Sequence, residues 1–293
     1  MNPVLARSSQ PRGRSLWQDA RARLLRNRAA VTAIALLSLI SLLVIAAPWL
    51  SPHEFDAIDW DNISTPPSLA NGHWFGTDAV GRDLFVRTLY GGRMSLMVGI
   101  IATGVSLLIG IAWGATAGYL GGRIDGIMMR IVDILYAMPF MFFVILLMVF
   151  FGRNIYLIFI AIGAINWLDM ARIVRGQTLT LKNREFIEAA IACGVSTPRI
   201  ILRHIVPNLA GVVAVYVTLT IPQVILVESF LSFLGLGVQE PDTSWGALVN
   251  EGAQDMESAP WSLLFPAGFL ATTLFCFNFI GDGLRDALDP RDR

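Results

Sequence analysis

Lysine is almost absent from this sequence: Lys182 is the only one in 293 residues. A phosphate-binding loop of the form Gly-x-x-x-x-Gly-Lys-Ser/Thr needs a lysine, and the sequence around Lys182 does not have this form, so the chain cannot bind ATP through a P-loop of its own. Charged residues make up only 15% of the chain, whereas hydrophobic residues make up 55% and the mean hydropathy is +0.60. This composition excludes an ordinary soluble globular protein and indicates a membrane protein.

Cysteine and histidine are also scarce. The two cysteines, Cys193 and Cys276, fall in a basic segment and in an apolar segment, and their spacing does not indicate a disulfide framework, a metal site or a redox pair. The three histidines, His53, His73 and His204, are scattered, and a zinc site built from all three would have to cross a bilayer in the topology predicted below. We therefore expect no bound metal.

Long segments without charge are what the sequence does contain. Residues 29–50 include no charged side chain, and a helix of this length crosses a hydrocarbon core of ~30 Å at ~1.5 Å per residue. The segment is longer than the apolar region typical of a cleaved signal peptide, so we expect an uncleaved anchor. The pattern predicts an all-α polytopic membrane protein with six transmembrane helices at residues 29–50, 94–120, 134–151, 155–170, 209–227 and 261–280.

Glycine, charge and proline positions predict how the second and third spans pack, connect and bend. Gly110, Gly114 and Gly118 repeat every four residues, so one face of this helix lacks side chains and predicts the close approach of another backbone. The charged residues 125–133 predict a short loop, and Pro139 predicts a kink inside the third span.

The distribution of basic residues predicts the orientation of the spans. With the N-terminus in the cytoplasm, 18 of the 22 lysines and arginines fall on cytoplasmic segments. Only Arg82, Arg87, Arg93 and Arg153 fall outside, as the positive-inside rule requires. The even number of spans returns the C-terminus to the cytoplasm, and it places the amphipathic, basic stretch 183–208 there as well.

This stretch, which we call the elbow (residues 183–208), begins with the signals of a short helix. Asn183 is a good N-cap, and Glu185 and Glu188 lie where the helix dipole favours anions. Gly194 suits the position after the last turn. These signals predict a helix between Asn183 and Gly194.

A second start signal follows in the elbow. Thr197 is an N-cap followed by Pro198 at the first helical position, and Pro207 ends this helix or kinks it into the next span. Two helices joined at a glycine on the face of a membrane protein suit docking to another protein. The alternative is an ordinary amphipathic helix at the membrane interface, which needs no glycine elbow.

The elbow also carries a family resemblance. Residues 188–190, Glu-Ala-Ala, followed by Gly194 and Pro207, resemble the EAA loop of ABC importer permeases. The family usually has an isoleucine where this chain has His204, but the whole run 203–208 is similar to the peptide-importer branch. Further stretches resemble the C permease of bacterial oligopeptide importers, and they are residues 228–241, 244–248 and 279–290.

The resemblance implies an inner-membrane transport subunit and not an enzyme. Its implied partners are a homologous six-span permease that completes a heterodimer, two cytoplasmic ATPase subunits, a periplasmic peptide-binding protein and the surrounding membrane lipid, with no nucleic acid. It also implies that ATP and magnesium bind to the ATPase subunits and that no cofactor binds to this chain. Permeases for dipeptides or nickel chelates share most of these motifs, so the carried solute stays open.

From the geometry of the elbow we expect the short helix at residues 184–193 to lie in a groove on an ATPase subunit, whose movement on ATP binding tilts the fourth and fifth spans as rigid bodies. By this resemblance Glu188 supplies a polar anchor, Ala189 and Ala190 permit close approach, and Gly194 allows a turn that a side chain would block. The residues expected to couple to the ATPase are Arg184, Glu185, Phe186, Glu188, Ala189, Ala190, Gly194, Pro198 and Pro207.

Ionisable residues are rare inside the predicted spans, which disfavours an ion-coupled carrier or channel that works alone. Glu228, at the outer end of the fifth span, and Asn278 in the sixth are candidates for lining the translocation path. Alternatively, Glu228 is a cap or loop anchor and Asn278 a helix-contact residue. Residues 73–93 also resemble the family, and we expect them to form a packed cap on the spans rather than a substrate contact.

These predictions divide the chain into consecutive segments. They are a cytoplasmic tail (1–28), the first transmembrane helix (29–50), a periplasmic loop (51–93), a five-helix permease core (94–281) with a cytoplasmic coupling loop (171–208) and a periplasmic loop (228–260), and a cytoplasmic tail (282–293).

Overall fold

The computed structural model describes residues 16–151 and 155–288, and within these ranges the chain is helical apart from loops and one isolated β-bridge between Thr77 and Asp83. The α-helices are α1 (Leu16–Leu24), α2 (Arg28–Leu50), α3 (Leu84–Leu120), α4 (Gly122–Tyr136), α5 (Phe140–Phe151), α6 (Ile155–Lys182), α7 (Glu185–Ala192), α8 (Thr197–Ile200), α9 (Ala210–Phe233), α10 (Trp245–Gln254) and α11 (Trp261–Leu288). A π-helical turn (Ile201–Ile205) and a 3-10 turn (Val206–Leu209) join α8 to α9. The predicted all-α class is confirmed.

Parts of the predicted layout lie outside the described residues: the tail up to residue 15, the short connection at 152–154 and the end of the second tail, 289–293. Among the described residues, α2, α3, the helical run from Thr197 to Phe233 and α11 are long and apolar enough to cross a membrane. The bent pair of α4 and α5 adds a fifth crossing if it is one span. Six spans and their orientation therefore stay predictions.

The start of α3 corrects the predicted outer loop, because residues 84–93 are helical. The Asp83 carboxylate accepts a hydrogen bond from the backbone N–H of Val86 and so caps the helix well before the predicted start at residue 94. Gly92 lies inside the helix, where a Cβ atom would come within 2.5 Å of the Trp245 ring. This glycine permits close packing and does not make a turn.

The charged residues 125–133 lie in α4 and do not form the predicted loop. Arg175 of α6 makes a bidentate ion pair with Asp125, with Nε–Oδ1 and Nη2–Oδ2 distances of 2.6 and 2.7 Å. Nη2 of Arg172 lies 2.8 Å from Oδ1 of Asp133. These charges therefore hold α4 against α6, and that is why a charged segment is helical here.

Pro139 separates two helices. The chain leaves α4 at Tyr136 and enters α5 at residue 140, and the two helix axes differ by 79°. This is a break in the helix rather than the kinked continuous span that the sequence predicts, in keeping with the loss of a backbone donor and the ring clash at proline.

The helix α6 continues to Lys182, twelve residues past the predicted end of the fourth span, because α3 packs along it. Gly110 faces Met170, and a Cβ on this glycine would come within 2.5 Å of the methionine side chain. Gly118 faces Thr178 in the same way. The predicted packing stripe is confirmed, and the predicted cytoplasmic loop starts only after its first twelve residues.

The bundle has two distinct ends. Residues 51–83, which we call the cap, cover one end, where the indole N–H of Trp261 at the start of α11 donates a hydrogen bond to the carbonyl of Thr77. At the other end, Gly283 near the C-terminus of α11 packs against Ala30 near the start of α2. The elbow packs on this second end as well, against the last turns of α3 and α6.

Candidate functional site

The first helix of the elbow is α7, which follows α6 after a two-residue connection. Its N-cap is Arg184, whose backbone is extended, and not Asn183 as predicted. The side-chain amide of Asn183 donates instead to the carbonyl of Leu179 in α6. Glu185 and Glu188 do lie in the first turn, where the helix dipole stabilises carboxylates.

Gly194 closes α7 with a φ of +74°, in the left-handed region. Its N–H donates to the carbonyl of Ile191, and the N–H of Val195 donates to the carbonyl of Ala190, at N–O distances of 2.9 and 3.0 Å. This pair of bonds is a Schellman motif. A Cβ on Gly194 would meet no atom within 4 Å, so the backbone conformation requires the glycine, and crowding by neighbours does not.

The helix α7 has a buried face and an exposed face. Ile187 and Ala190 are buried, whereas Phe186 and Ile191 are 41% and 55% exposed. The exposed residues of α7 are Glu185, Phe186, Glu188, Ala189, Ile191 and Ala192. Ala190 therefore packs inside this chain, and its expected role in the close approach of a partner stays a prediction.

The second half of the elbow is a continuous but irregular helix. Ser196, and not Thr197, is its N-cap, and Pro198 lies in the first turn. Pro207 does not end the helix, since the π-helical and 3-10 turns carry the chain directly into α9. Both prolines are exposed on the outside of the elbow.

The elbow is joined to the bundle through one apolar cluster. Its buried members are Ala115, Met170, Val174, Ile187, Ala190, Ile200, Ile205 and Leu209. They come from α3, from α6, from both halves of the elbow and from the turn before α9. Because a packed interior transmits displacement, a push on α7 must be accommodated by these helices together.

Glu228 is fully buried and lies five residues before the end of α9, a helix that continues past the predicted end of the fifth span at residue 227. Its Oε2 accepts a hydrogen bond from Ser95 Oγ of α3 at 3.1 Å, and its Oε1 accepts one from Ser232 Oγ at 2.7 Å. Ser232 Oγ lies 3.2 Å from Oγ of Ser244, the N-cap of α10. The carboxylate thus connects three helices, which is the geometry of an anchor.

Asn278 is the other candidate for the translocation path. It lies on an exposed face of α11, and its amide donates to the carbonyl of Leu274 at 2.9 Å. In the part of the chain that the structure describes, no hydrogen bond joins Asn278 to Glu228. The two residues stay separate predictions, and solute passage is tested for neither.

A network of charged residues joins the cap to α10, and sequence reasoning missed it. Arg87 is 1% exposed, and its Nη1 lies 2.5 Å from Asp78 Oδ2 and 2.8 Å from Glu251 Oε2. Arg82 donates to the same Asp78 oxygen at 2.7 Å and to Glu240 Oε1 at 2.8 Å. Burial raises the pKa of the Asp78 carboxyl, but the charges and hydrogen bonds of Arg87 and Arg82 outweigh it and hold that pKa below its ordinary value.

The cap also brings together two histidines that are scattered in the sequence. The rings of His53 and His73 are stacked, with centroids 4.5 Å apart and planes 20° from parallel. Nδ1 of His73 lies 2.8 Å from Oδ2 of Asp83. The third histidine, His204, lies in the elbow at the other end of the bundle.

Two family models match the chain. Residues 110–293, more than half of the chain, match the family described as the binding-protein-dependent transport system inner membrane component. Residues 15–67 match the N-terminal TM domain of oligopeptide transport permease C.

Known proteins are similar over almost the whole chain. It is 61% identical over 284 residues to the oligopeptide transport system permease protein OppC of Haemophilus influenzae, which covers 97% of this chain and 91% of that protein. It is 63% identical over 281 residues to the OppC protein of Escherichia coli K12, with coverage of 96% and 93%. It is 47% identical over 280 residues to the dipeptide transport system permease protein DppC of Bacillus subtilis, with coverage of 95% and 87%.

Proposed function

The chain belongs to the family of binding-protein-dependent transport system inner membrane components, and from this premise we propose that it is the C permease of an ATP-driven importer that carries oligopeptides across the bacterial inner membrane. The two relatives named for oligopeptides are 61% and 63% identical to it, against 47% for the relative named for dipeptides. These identities, together with the match of residues 15–67 to the N-terminal TM domain of oligopeptide transport permease C, support oligopeptides as the carried solute.

The energy for import comes from other subunits in this proposal. The chain has a single lysine and no P-loop. In keeping with the family resemblance, we assign the binding of ATP and magnesium to two cytoplasmic ATPase subunits. A homologous permease completes the membrane part of the importer, and a periplasmic binding protein delivers the peptide. The family match supports an assembly of this kind, and each of these partners is part of the proposal.

The observation that carries the coupling role is the exposed face of α7. Six of its eight residues are exposed, among them the apolar Phe186 and Ile191 and the carboxylate of Glu188, although Ile187 and Ala190 pack against the bundle. We assign that exposed face to a groove on an ATPase subunit. The contacting residues are Arg184, Glu185, Phe186, Glu188 and Ala189, whereas Ala190, Gly194, Pro198 and Pro207 shape the elbow.

The packing of the elbow supports a mechanism for force transmission. Ile187 and Ala190 of α7 share an apolar cluster with Met170 and Val174 of α6 and with Leu209 just before α9. When ATP binding moves the ATPase, α7 moves with it, and α6 and α9 tilt because the cluster stays packed. The tilt opens the path to one side of the membrane at a time.

Reconstitution of the complete importer in liposomes tests this function. Glu188→Lys and Gly194→Leu are expected to insert and fold but to abolish ATP-dependent uptake of a labelled peptide and to weaken co-purification with the ATPase. Gly194→Asn is expected to retain more transport than Gly194→Leu, since asparagine adopts positive φ more readily. Glu257→Lys, the same charge reversal at an exposed glutamate near the cap, is the control and leaves uptake unchanged.

Two outcomes contradict the proposal. The first is normal uptake by both Glu188→Lys and Gly194→Leu importers. The second is peptide uptake by the purified chain alone in vesicles without any ATPase, which is the behaviour of an ion-coupled carrier or channel.

A further inference from the structure

Four ionisable side chains from separate parts of the cap meet at one cavity of about 350 Å³. They are His53, Asp59, His73 and Asp83. One nitrogen of His53, one nitrogen of His73 and one carboxylate oxygen of Asp83 all lie within 4.8 Å of one another. On the other side of the His73 ring, Nε2 lies 3.5 Å from Oδ2 of Asp59.

Two of these four side chains, those of His73 and Asp83, are held rigidly. His73 is 1% exposed and Asp83 is 2% exposed. One oxygen of Asp83 accepts from the N–H of Val86 at the start of α3, and the other contacts Nδ1 of His73. Nδ1 of His73 and Oδ2 of Asp83 are therefore held side by side as two ligand atoms. The carboxylate of Asp59 stands beside the second ring nitrogen, and such an outer carboxylate orients histidine ligands in metal sites and increases their basicity.

The other two side chains, those of His53 and Asp59, can change their positions. His53 and Asp59 are only partly buried, and both lie on the first stretch of the cap. Ligand atoms around a tetrahedral zinc ion stand about 3.3 Å apart, given metal–nitrogen distances of about 2.0–2.1 Å. Closure from the present separations therefore needs a rotation of the His53 ring out of its stack on His73, while His73 and Asp83 stay in place.

The electrostatics of the cavity favour a cation. Its lining includes three carboxylates, those of Asp59, Asp61 and Asp83, and no lysine or arginine. A concave site lined by one sign of charge concentrates counter-ions. Imidazole nitrogens beside carboxylates are a ligand set that suits zinc and its first-row neighbours rather than calcium or magnesium.

We propose that the cap binds a divalent first-row transition-metal ion of the Zn²⁺ class, held by His53, His73 and Asp83, with the carboxylate of Asp59 beside Nε2 of His73 as an outer partner. The sequence predicts no bound metal because its three histidines are scattered, but the fold brings two of them, His53 and His73, together. The ion links the start of the cap to the N-terminus of α3. This proposal does not depend on which solute the protein carries.

Metal titration of the purified full-length chain in detergent tests the proposal. The chain carries a purification tag without histidine, is stripped with EDTA and is then titrated with Zn²⁺ against a chromophoric chelator and with Co²⁺ by visible absorption. We expect one equivalent per chain and a Co²⁺ spectrum of tetrahedral nitrogen and oxygen ligation. His53→Phe keeps a ring that can stack on His73 but removes the ligand, and it is expected to weaken Zn²⁺ binding at least ~10-fold.

His204→Ala is the matched control, because it removes a histidine from the opposite end of the bundle and should leave the affinity unchanged. Asp59→Asn removes the outer carboxylate beside Nε2 of His73 and is expected to weaken Zn²⁺ binding by ~10–100-fold. Two results overturn the proposal: less than a stoichiometric Zn²⁺ site in the wild type, or equal affinities in the wild type and in folded His53→Phe. Circular dichroism and gel filtration establish that each variant is folded.

Discussion

Gly114 of α3 lies directly against the backbone carbonyl of Ala171 in α6, so closely that a Cβ atom on the glycine would overlap that oxygen. The contact lies midway along the glycine stripe, and it brings two helix backbones together where side chains would otherwise separate them. The helix α6 leads into the elbow, so this packing fixes the position of the segment to which the coupling role is assigned.

Gly114→Ala is expected to destabilise the protein, because the added methyl group must push α3 and α6 apart; overpacking of this kind costs about 1–3 kcal/mol. Gly104→Ala is the control on the same helix, since a Cβ there meets no atom within 4 Å and alanine favours the helix by up to about 1 kcal/mol. Thermal unfolding in detergent measures both. Equal melting temperatures for the two variants would contradict the close packing.

Arg87→Met is expected to be strongly destabilising. The guanidinium is buried between Asp78 and Glu251, and its removal leaves these two carboxylates with Arg82 as their remaining basic partner. Breaking a buried ion pair costs up to about 3–5 kcal/mol. Arg93→Met, an exposed site in the same helix, should have little effect. Melting temperature and protease sensitivity of the cap measure the difference, and a fully stable Arg87→Met would show that the network does not hold the cap.

The same network predicts an acid-sensitive cap. The pKa of Asp78 is lowered on folding, because Arg87 and Arg82 outweigh the effect of burial. A carboxylate with a lowered pKa contributes stability that is complete above its unfolded pKa, about 3.9, and that is lost as the pH falls through the folded pKa.

Stability should therefore decline below about pH 4, and Asp78→Asn should have a smaller decline over that range because it has no carboxylate to protonate. Unfolding measured from pH 6 to pH 2.5 tests this, with the exposed Asp242→Asn as the control. If Asp78→Asn and the wild type declined in parallel, the acid sensitivity would have to come from other groups.

Some features could be predicted from the sequence because their physical cause is local or periodic. The spacing of Gly110 and Gly118 is visible along one helix, and its meaning does not depend on which partner packs there. Gly194 is similar, since the need for positive φ at a helix C-terminus is a property of that one residue. The apolar segments that form α2 and α11 are continuous in the sequence and are equally visible.

Other features depend on partners that are distant in the chain. Asp125 suggests a loop when the sequence is read alone. Its charge is compatible with a helix because it pairs with Arg175, fifty residues later, on the neighbouring helix. Gly92 does not reveal its packing role in the sequence, because the residue that needs the space, Trp245, lies more than 150 positions later. The stacking of His53 on His73 likewise exists only because the cap folds back on the start of α3.

Substitutions of Glu228 distinguish a structural role of this residue from a role in transport. Its carboxylate accepts hydrogen bonds from Ser95 and Ser232, and loss of such a buried acceptor leaves each donor unsatisfied at about 1–3 kcal/mol. Glu228→Leu should therefore destabilise the bundle, whereas Glu228→Gln keeps one acceptor oxygen and should be milder. If the residue is an anchor, peptide uptake by the reconstituted importer should fall in proportion to stability across the wild type and the two variants. A Glu228→Gln protein with unchanged melting temperature but no uptake would instead assign the carboxylate to the translocation path. Because this substitution does not alter the elbow, the loss of uptake could not be attributed to weaker coupling to the ATPase.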